Sequence, residues 1–197
     1  VMKGEVLPLA VPVGVSNRHM HVSQADLESL FGPGYRLKPY RELSQPGEYA
    51  AEETVTIVGP RGVIEGLRLL GPPREHSQIE LAVTDTYRLG IRAPVRESGD
   101  LEGTPGIAVV GPRGALNLPR GVIVAARHIH MDEANARKWG LKDGQRVRVL
   151  VPGERGLILH NVIVRVSPVA RLELHLDTDE ANAAMLKNGD VVHILRP

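Results

Sequence analysis

Ser16-Asn17-Arg18-His19-Met20-His21-Val22-Ser23 returns 109 residues later as Ala125-Ala126-Arg127-His128-Ile129-His130-Met131-Asp132. Each copy carries His-x-His and ends on a residue suited to cap a helix. In an extended strand, residues i and i+2 point to the same side. Each pair therefore offers two imidazoles on one face, as a metal site requires. A third, weaker copy lies a further 47 residues on, where Leu174-His175-Leu176-Asp177-Thr178-Asp179-Glu180-Ala181-Asn182 echoes the run from Arg127 to Asn135. It keeps the first His and has Asp177 in place of the second.

A short helix is expected after each copy. Ser23-x-x-Asp26 forms a capping box before Leu27, Leu30 and Phe31, and Gly32 supplies the stop. Asp132 caps a run through Ala134, Ala136 and Trp139 to Gly140, and Asp179 caps one from Ala183 to Leu186 that ends near Gly189. A helix start beside a metal also offers free N–H groups to an anion. Between these units lie β-like runs at 54–58, 63–70, 78–83, 88–93, 107–110 and 121–125, then at 145–151, 156–166, 171–176 and 190–195. Val58-Gly59-Pro60-Arg61-Gly62 recurs as Val110-Gly111-Pro112-Arg113-Gly114, a turn between hydrophobic runs. Helical patterns are too few to cover a parallel sheet, so hairpins dominate. The expectation is a mainly β, internally duplicated chain. It would form two small β-barrel domains with short capping α-helices, the first over residues 13–120 and the second over 121–197.

Composition agrees with a strand-rich core of small residues. Among 197 residues 42% are hydrophobic but only 3% aromatic, so Val, Leu, Ile and Ala must fill the interior. With 24 basic against 23 acidic side chains the net charge is +1, which gives no field for gathering nucleic acid. The absence of Cys excludes disulfides, thiolate ligands and a Cys nucleophile in one step. No window approaches the roughly 18 apolar residues of a membrane span. Val1 to Pro12 lacks the hydrophobic region of a signal peptide, so a cytoplasmic location is expected.

Repetition is what raises the histidines above chance. Core packing does not explain two pairs with related flanks plus His175, because buried imidazoles need partners. Nitrogen and oxygen donors without Cys suit zinc, with iron, cobalt or manganese left open. His76, His160 and His193 have no repeated partner and read as surface or structural residues. From the residues alone, metal-dependent hydrolysis of a thioester or phosphoester is the leading chemistry. A metal-stabilised binding module is the non-enzymatic alternative.

The Arg-His-Met-His and Arg-His-Ile-His runs, Gly71-Pro72-Pro73-Arg74, and His175-x-Asp177-Thr178-Asp179-Glu180-Ala181-Asn182 together resemble the phosphate propanoyltransferase family of propanediol utilisation. The resemblance covers nearly the whole chain from Val13 onward. It implies a dizinc phosphotransacylase, distinct from the ordinary phosphotransacetylases, that exchanges the coenzyme A of a short-chain acyl thioester for inorganic phosphate. Carried over residue by residue, His19, His21 and Glu80 would hold one zinc, and His128, His130 and His175 the other. Without the resemblance Glu80 reads as an ordinary strand carboxylate. Arg74 matches the family's active-site arginine, and a guanidinium suits phosphate or a developing oxyanion. Tyr87 falls where the family has an aromatic near the coenzyme A pocket. Arg18 and Arg127 are assigned to coenzyme A or phosphate, with carboxylates in the fold as the competing partners. Asp177 is assigned to orienting an imidazole.

The resemblance further implies direct attack of phosphate on the acyl carbon, and a homodimer. Relatives inside bacterial microcompartments carry an amphipathic N-terminal extension. The dozen or so residues before Val13, interrupted by Pro8 and Pro12, do not read as one. Microcompartment association is therefore expected only if such an extension is missing from this sequence.

Overall fold

The computed structural model describes residues 6–195. Residues 1–5, the start of the segment weighed as a targeting extension, lie outside the described residues, as do 196–197. The strands run β1 Val6–Ser16, β2 His19–Ser23, β3 Pro39–Glu42, β4 Tyr49–Val58, β5 Val63–Arg74, β6 Gln78–Glu80, β7 Val95–Arg96 and β8 Ile107–Val110. They continue as β9 Ala115–Leu118, β10 Val122–Ala125, β11 His128–Met131, β12 Arg146–Val151, β13 Leu157–Val166, β14 Glu173–Asp177 and β15 Val191–Leu195. The helices are α1 Gln24–Phe31, α2 Val83–Leu89, α3 Glu133–Trp139 and α4 Thr178–Ala184. Among the described residues, no helix is long and apolar enough to cross a membrane.

Two compact units divide the chain. One contains β1, residues 44–46 and the chain from 126 onward, and the other contains 17–43 and 47–125. The first is a closed barrel with strand order β1-β14-β11-β13-β12-β15. Its core is aliphatic, as the shortage of aromatics requires. Val11, Val13, Ile129, Met131, Val149, Val162, Val164, Leu174, Val192 and Ile194 are all buried in one cluster. Closure depends on the length of β1, whose 11 residues serve two neighbours in turn. Val13–Ser16 pair in parallel with Leu174–Asp177, while Ala10–Pro12 pair antiparallel with residues 191–193. Residues 13–16, placed with the N-terminal half in the sequence reading, thus belong to the barrel formed by the C-terminal half.

The second unit corrects the expectation of two barrels. Its nine-stranded sheet, ordered β7-β10-β6-β2-β5-β4-β8-β9 with β3 on β4, is open and curled. Strands β10-β6-β2-β5-β4-β8 repeat, in order and direction, the β1-β14-β11-β13-β12-β15 series of the barrel. The duplication is therefore real, but the last step, pairing β8 back onto β10, is not taken. Each of these strands is only four residues long and already has another partner, β9 for β8 and β7 for β10. A backbone bond from Val122 N–H to the Pro105 carbonyl (3.1 Å) stands where a full ladder would be needed.

Helix starts largely follow the capping pattern. Ser23 accepts the Asp26 N–H (3.2 Å) and Asp132 accepts that of Asn135 (2.9 Å). The last helix begins two residues earlier than expected, with Asp177 rather than Asp179 as cap, accepting the Glu180 N–H at 2.8 Å. The expected strand at 88–93 is absent and α2 occupies residues 83–89 instead. Its N-cap, Ala82, has no side-chain oxygen to advertise the helix start.

The two Gly-Pro-Arg-Gly turns do more than reverse the chain. Arg61 N–H bonds the Leu89 carbonyl at the end of α2 (3.1 Å), and Arg113 N–H bonds the Leu30 carbonyl near the end of α1 (3.0 Å). Each turn thereby satisfies a helix-terminal carbonyl that would otherwise lack a partner. A Cβ at Gly59 would lie 2.4 Å from the Leu89 oxygen, and one at Gly111 would lie 2.6 Å from the Leu30 oxygen. Gly111→Ala is expected to destabilise its unit by about 1–3 kcal/mol through this overpacking. Denaturant titration of the variant checks it, and an unchanged midpoint and slope would show that the helix end yields freely.

Candidate metal centre

Each unit gathers one donor cluster. His19, His21 and Glu80 form the first and His128, His130 and His175 the second, with the donor atoms of each lying within 4.8 Å of one another. The same strand register builds both. In the open sheet β2 pairs antiparallel with β6, His19 opposite Glu80 and His21 opposite Gln78. In the barrel β11 pairs antiparallel with β14, His128 opposite His175 and His130 opposite Glu173. Directly opposed residues on one face bring their Cβ atoms to about 4.5–5.5 Å. The third donor of each set is thus placed by the sheet itself. The alternate residues, Met20 and Val22 in one strand and Ile129 and Met131 in the other, are wholly buried in the two cores.

Hydrogen bonds set the imidazole tautomers in duplicate. His19 Nδ1 lies 2.8 Å from the Asn17 carbonyl and His128 Nδ1 lies 2.8 Å from that of Ala126. A carbonyl can only accept, so Nδ1 carries the proton and Nε2 keeps its lone pair for a ligand. Nε2 of His19 is 3.4 Å from a Glu80 oxygen, Nε2 of His21 is 3.8 Å from the other, and Nε2 of His128 is 3.1 Å from Nε2 of His130. Donors bound at 2.0–2.2 Å around one tetrahedral zinc stand roughly 3.3 Å apart. The residues present therefore fit zinc in donor type and spacing, and His19 and His128 fit it in tautomer as well.

Burial keeps one imidazole of each cluster unprotonated. Burial, then repulsion from His19 and from Arg74, outweighs attraction to Glu80 and brings His21 down to about 3. His130 is likewise lowered to about 3, by burial first and then by His128 and His175. Both imidazoles are neutral at physiological pH, the form that ligates.

The remaining site residues fall into distinct places. Arg74, at the end of β5, donates to Ser98 Oγ (3.0 Å) and Glu48 (3.2 Å), and its field reaches His21. Tyr87, on α2, is 76% exposed. Asp177 caps α4 through the Glu180 N–H rather than bonding an imidazole. Arg18 meets Asp85 at 2.6 Å and Arg127 meets Glu180 at 3.4 Å. Burial and the neighbouring Asp177 carboxylate push Glu180 up to about 7 against the opposing pull of Arg127. His76 and His160 are exposed and His193 is half-buried; none of the three joins either donor cluster.

Two neighbours of the clusters escaped the sequence reading. Gln78 donates to Glu80 (2.6 Å) and Ser98 (2.8 Å), and Glu173 lies 2.6 Å from His175 Nε2. Both stand two residues before a ligand, in Gln78-x-Glu80 and Glu173-x-His175. That is the same alternation which marked the histidine pairs.

The phosphate propanoyltransferase family model matches residues 12–187. The chain belongs to this family. A phosphate propanoyltransferase of Thermotoga maritima is 59% identical over 184 residues, spanning 93% of this chain and 88% of the relative. One of Salmonella typhimurium is 55% identical over 179 residues (90% and 85%), and one of Rhodopseudomonas palustris 49% over 189 residues (96% and 84%).

Neutral, buried imidazoles carry a pH consequence. Unfolded histidines gain protons below about 6.5, whereas His21 and His130 in the fold do so only near 3, so stability is fully present above 6.5 and falls with pH toward 3. Below that upper limit His21 alone is expected to cost roughly 1.4 kcal/mol per pH unit in metal-stripped protein. Thermal midpoints of chelator-treated protein at pH 7.5, 6.5 and 5.5 check this, with most of the decline in the last step.

Proposed function

We propose that this phosphate acyltransferase holds two zinc ions, one at His19, His21 and Glu80 and one at His128, His130 and His175, and transfers a short acyl group directly between coenzyme A and inorganic phosphate. The observation that carries the metal reading is the pair of three-donor sets built at equivalent register positions. Bound zinc supplies Lewis acidity, polarising a carbonyl or phosphate oxygen without a proton transfer.

The chain's own residues supply placement. Arg74 is partly exposed and is held by Glu48 and Ser98, so its guanidinium has a fixed direction while keeping donors for an anion. In the forward reaction a phosphate oxygen attacks the thioester carbon, the carbon–sulfur bond breaks, and coenzyme A leaves as a thiolate. No Cys exists to form a thioester with the protein. Positioning two bound substrates is the task this reading gives the site, and it can supply a large part of the rate enhancement. Exposed Tyr87 is assigned to the coenzyme A rim, where an aromatic can cover the ligand without being needed for the core.

Coenzyme A release from propanoyl-CoA and acetyl-CoA is expected to require phosphate, to yield one acyl phosphate per thiol freed, and to run backwards from acyl phosphate and coenzyme A. Release at the same rate without phosphate, giving only the free acid, would replace this reading with a metal thioesterase. Arg74→Ala is expected to keep its metal and lose turnover by roughly 100-fold or more, as when one preorganised electrostatic contact is removed. Metal analysis alongside steady-state kinetics checks it, and normal turnover in loaded protein removes Arg74 from the chemistry.

A further inference from the structure

The arginine that precedes each histidine pair makes the same unusual connection. Arg18 binds one oxygen of Asp85 at 2.6 Å, while the other oxygen of Asp85 accepts the Ala82 N–H at 3.3 Å. Arg127 lies 3.4 Å from one oxygen of Glu180, while the other oxygen accepts the Asp177 N–H at 3.2 Å. Asp85 follows Glu80 by five positions, and Glu180 follows His175 by five. In each unit, therefore, one carboxylate joins the corner that leaves the third-ligand strand to the segment that enters the histidine strand. The chemistry has diverged, Asp in one copy and Glu in the other, but the connection is the same.

Stability alone does not account for this. Partly exposed ion pairs contribute little, and Arg18 and Arg127 keep 38% and 30% of their side-chain surface. What each unit lacks is length in the strand pair that places its ligands. β6 meets β2, and β14 meets β11, over three residue pairs each. A shift of one residue in so short a ladder would turn a ligand to the opposite face, and the buried alternate residues resist it from the core side only. A carboxylate that grips the backbone of one strand's exit and the side chain at the other strand's entry opposes that shift.

We propose that Arg18–Asp85 and Arg127–Glu180 are positioning pairs that keep Glu80 and His175 in register with their histidine pairs, each governing metal retention in its own unit. This rests on the zinc assignment above. The test compares zinc-loaded wild-type protein with Arg18→Gln and Arg127→Gln, which remove the arginine and leave both helix caps intact, by following zinc transfer to a chromogenic chelator at pH 8. Each variant is expected to release one of its two zinc equivalents at least about 10-fold faster, the scale seen when groups supporting a metal ligand are removed. The other equivalent keeps the wild-type rate, and Arg18→Lys or Arg127→Lys recovers most of the loss. Release of both equivalents at the wild-type rate overturns the proposal, and a raised KM for coenzyme A in that case assigns the arginine to substrate. Equal acceleration of both, with a lower thermal midpoint of the metal-free protein, also overturns it by showing a general role in the fold. Wild-type protein that takes up fewer than two equivalents fails earlier, at the zinc assignment, and is distinguished by that measurement alone.

Discussion

The two donor clusters of this protein depend on the register of two short antiparallel strand pairs. His19 can share a cluster with Glu80, and His128 with His175, only because each pair stands directly across its ladder. Alternation makes the requirement strict, since a slip of one residue would exchange the imidazoles for Met20 or Ile129 and turn polar rings into the cores. The apolar residues enforce the register from the other side. Met20, Val22, Ile129 and Met131 have no favourable position except buried, so the hydrophobic effect that folds each unit also aims its ligands.

The duplicated strand–helix corners show how one geometry is kept with different chemistry. Strands β2, β6, β11 and β14 each run into a short helix, and the helix starts are capped by Ser23, Ala82, Asp132 and Asp177 respectively. Ala82 has no oxygen to offer the first turn of α2, but Asp85 accepts the Ala82 N–H as Glu180 accepts that of Asp177. A backbone group needing a partner is the fixed quantity, and which side chain provides it is free to vary. The Gly-Pro-Arg-Gly turns act at the opposite ends of α1 and α2, so both ends of those helices are tied down.

What could be read from the sequence follows from how local each cause is. The histidine pairs, the caps at Ser23 and Asp132 and most strands are set by alternation and by contacts within a few residues, and they were legible. Glu80 was not, apart from family resemblance, because nothing within Ser77-Gln78-Ile79-Glu80 marks it until β6 lies against β2. Helix α2 was hidden by its Ala cap and by Val83 and Leu89, which read as strand residues. The open second sheet was hidden for a third reason. The repeats look alike in the ligand strands, but closure is decided by the length of β1 against that of β10, outside the motifs.

The way β1 closes the barrel has a consequence for how the protein is made. Val15 N–H bonds the side chain of Asn188, 173 positions away, and both strands flanking β1 lie in the final stretch of the described chain. A ribosome therefore delivers β1 long before it can be paired, leaving Val11 and Val13 on a strand with two open edges. The sheet containing β2 to β10 needs nothing from beyond residue 125 for its own pairings, so it can assemble while the barrel waits. His128, His130 and His175 become a cluster only when β14 arrives, which makes the completion of that donor set a late event of biosynthesis. The interval before it is when the nascent chain is most exposed to aggregation.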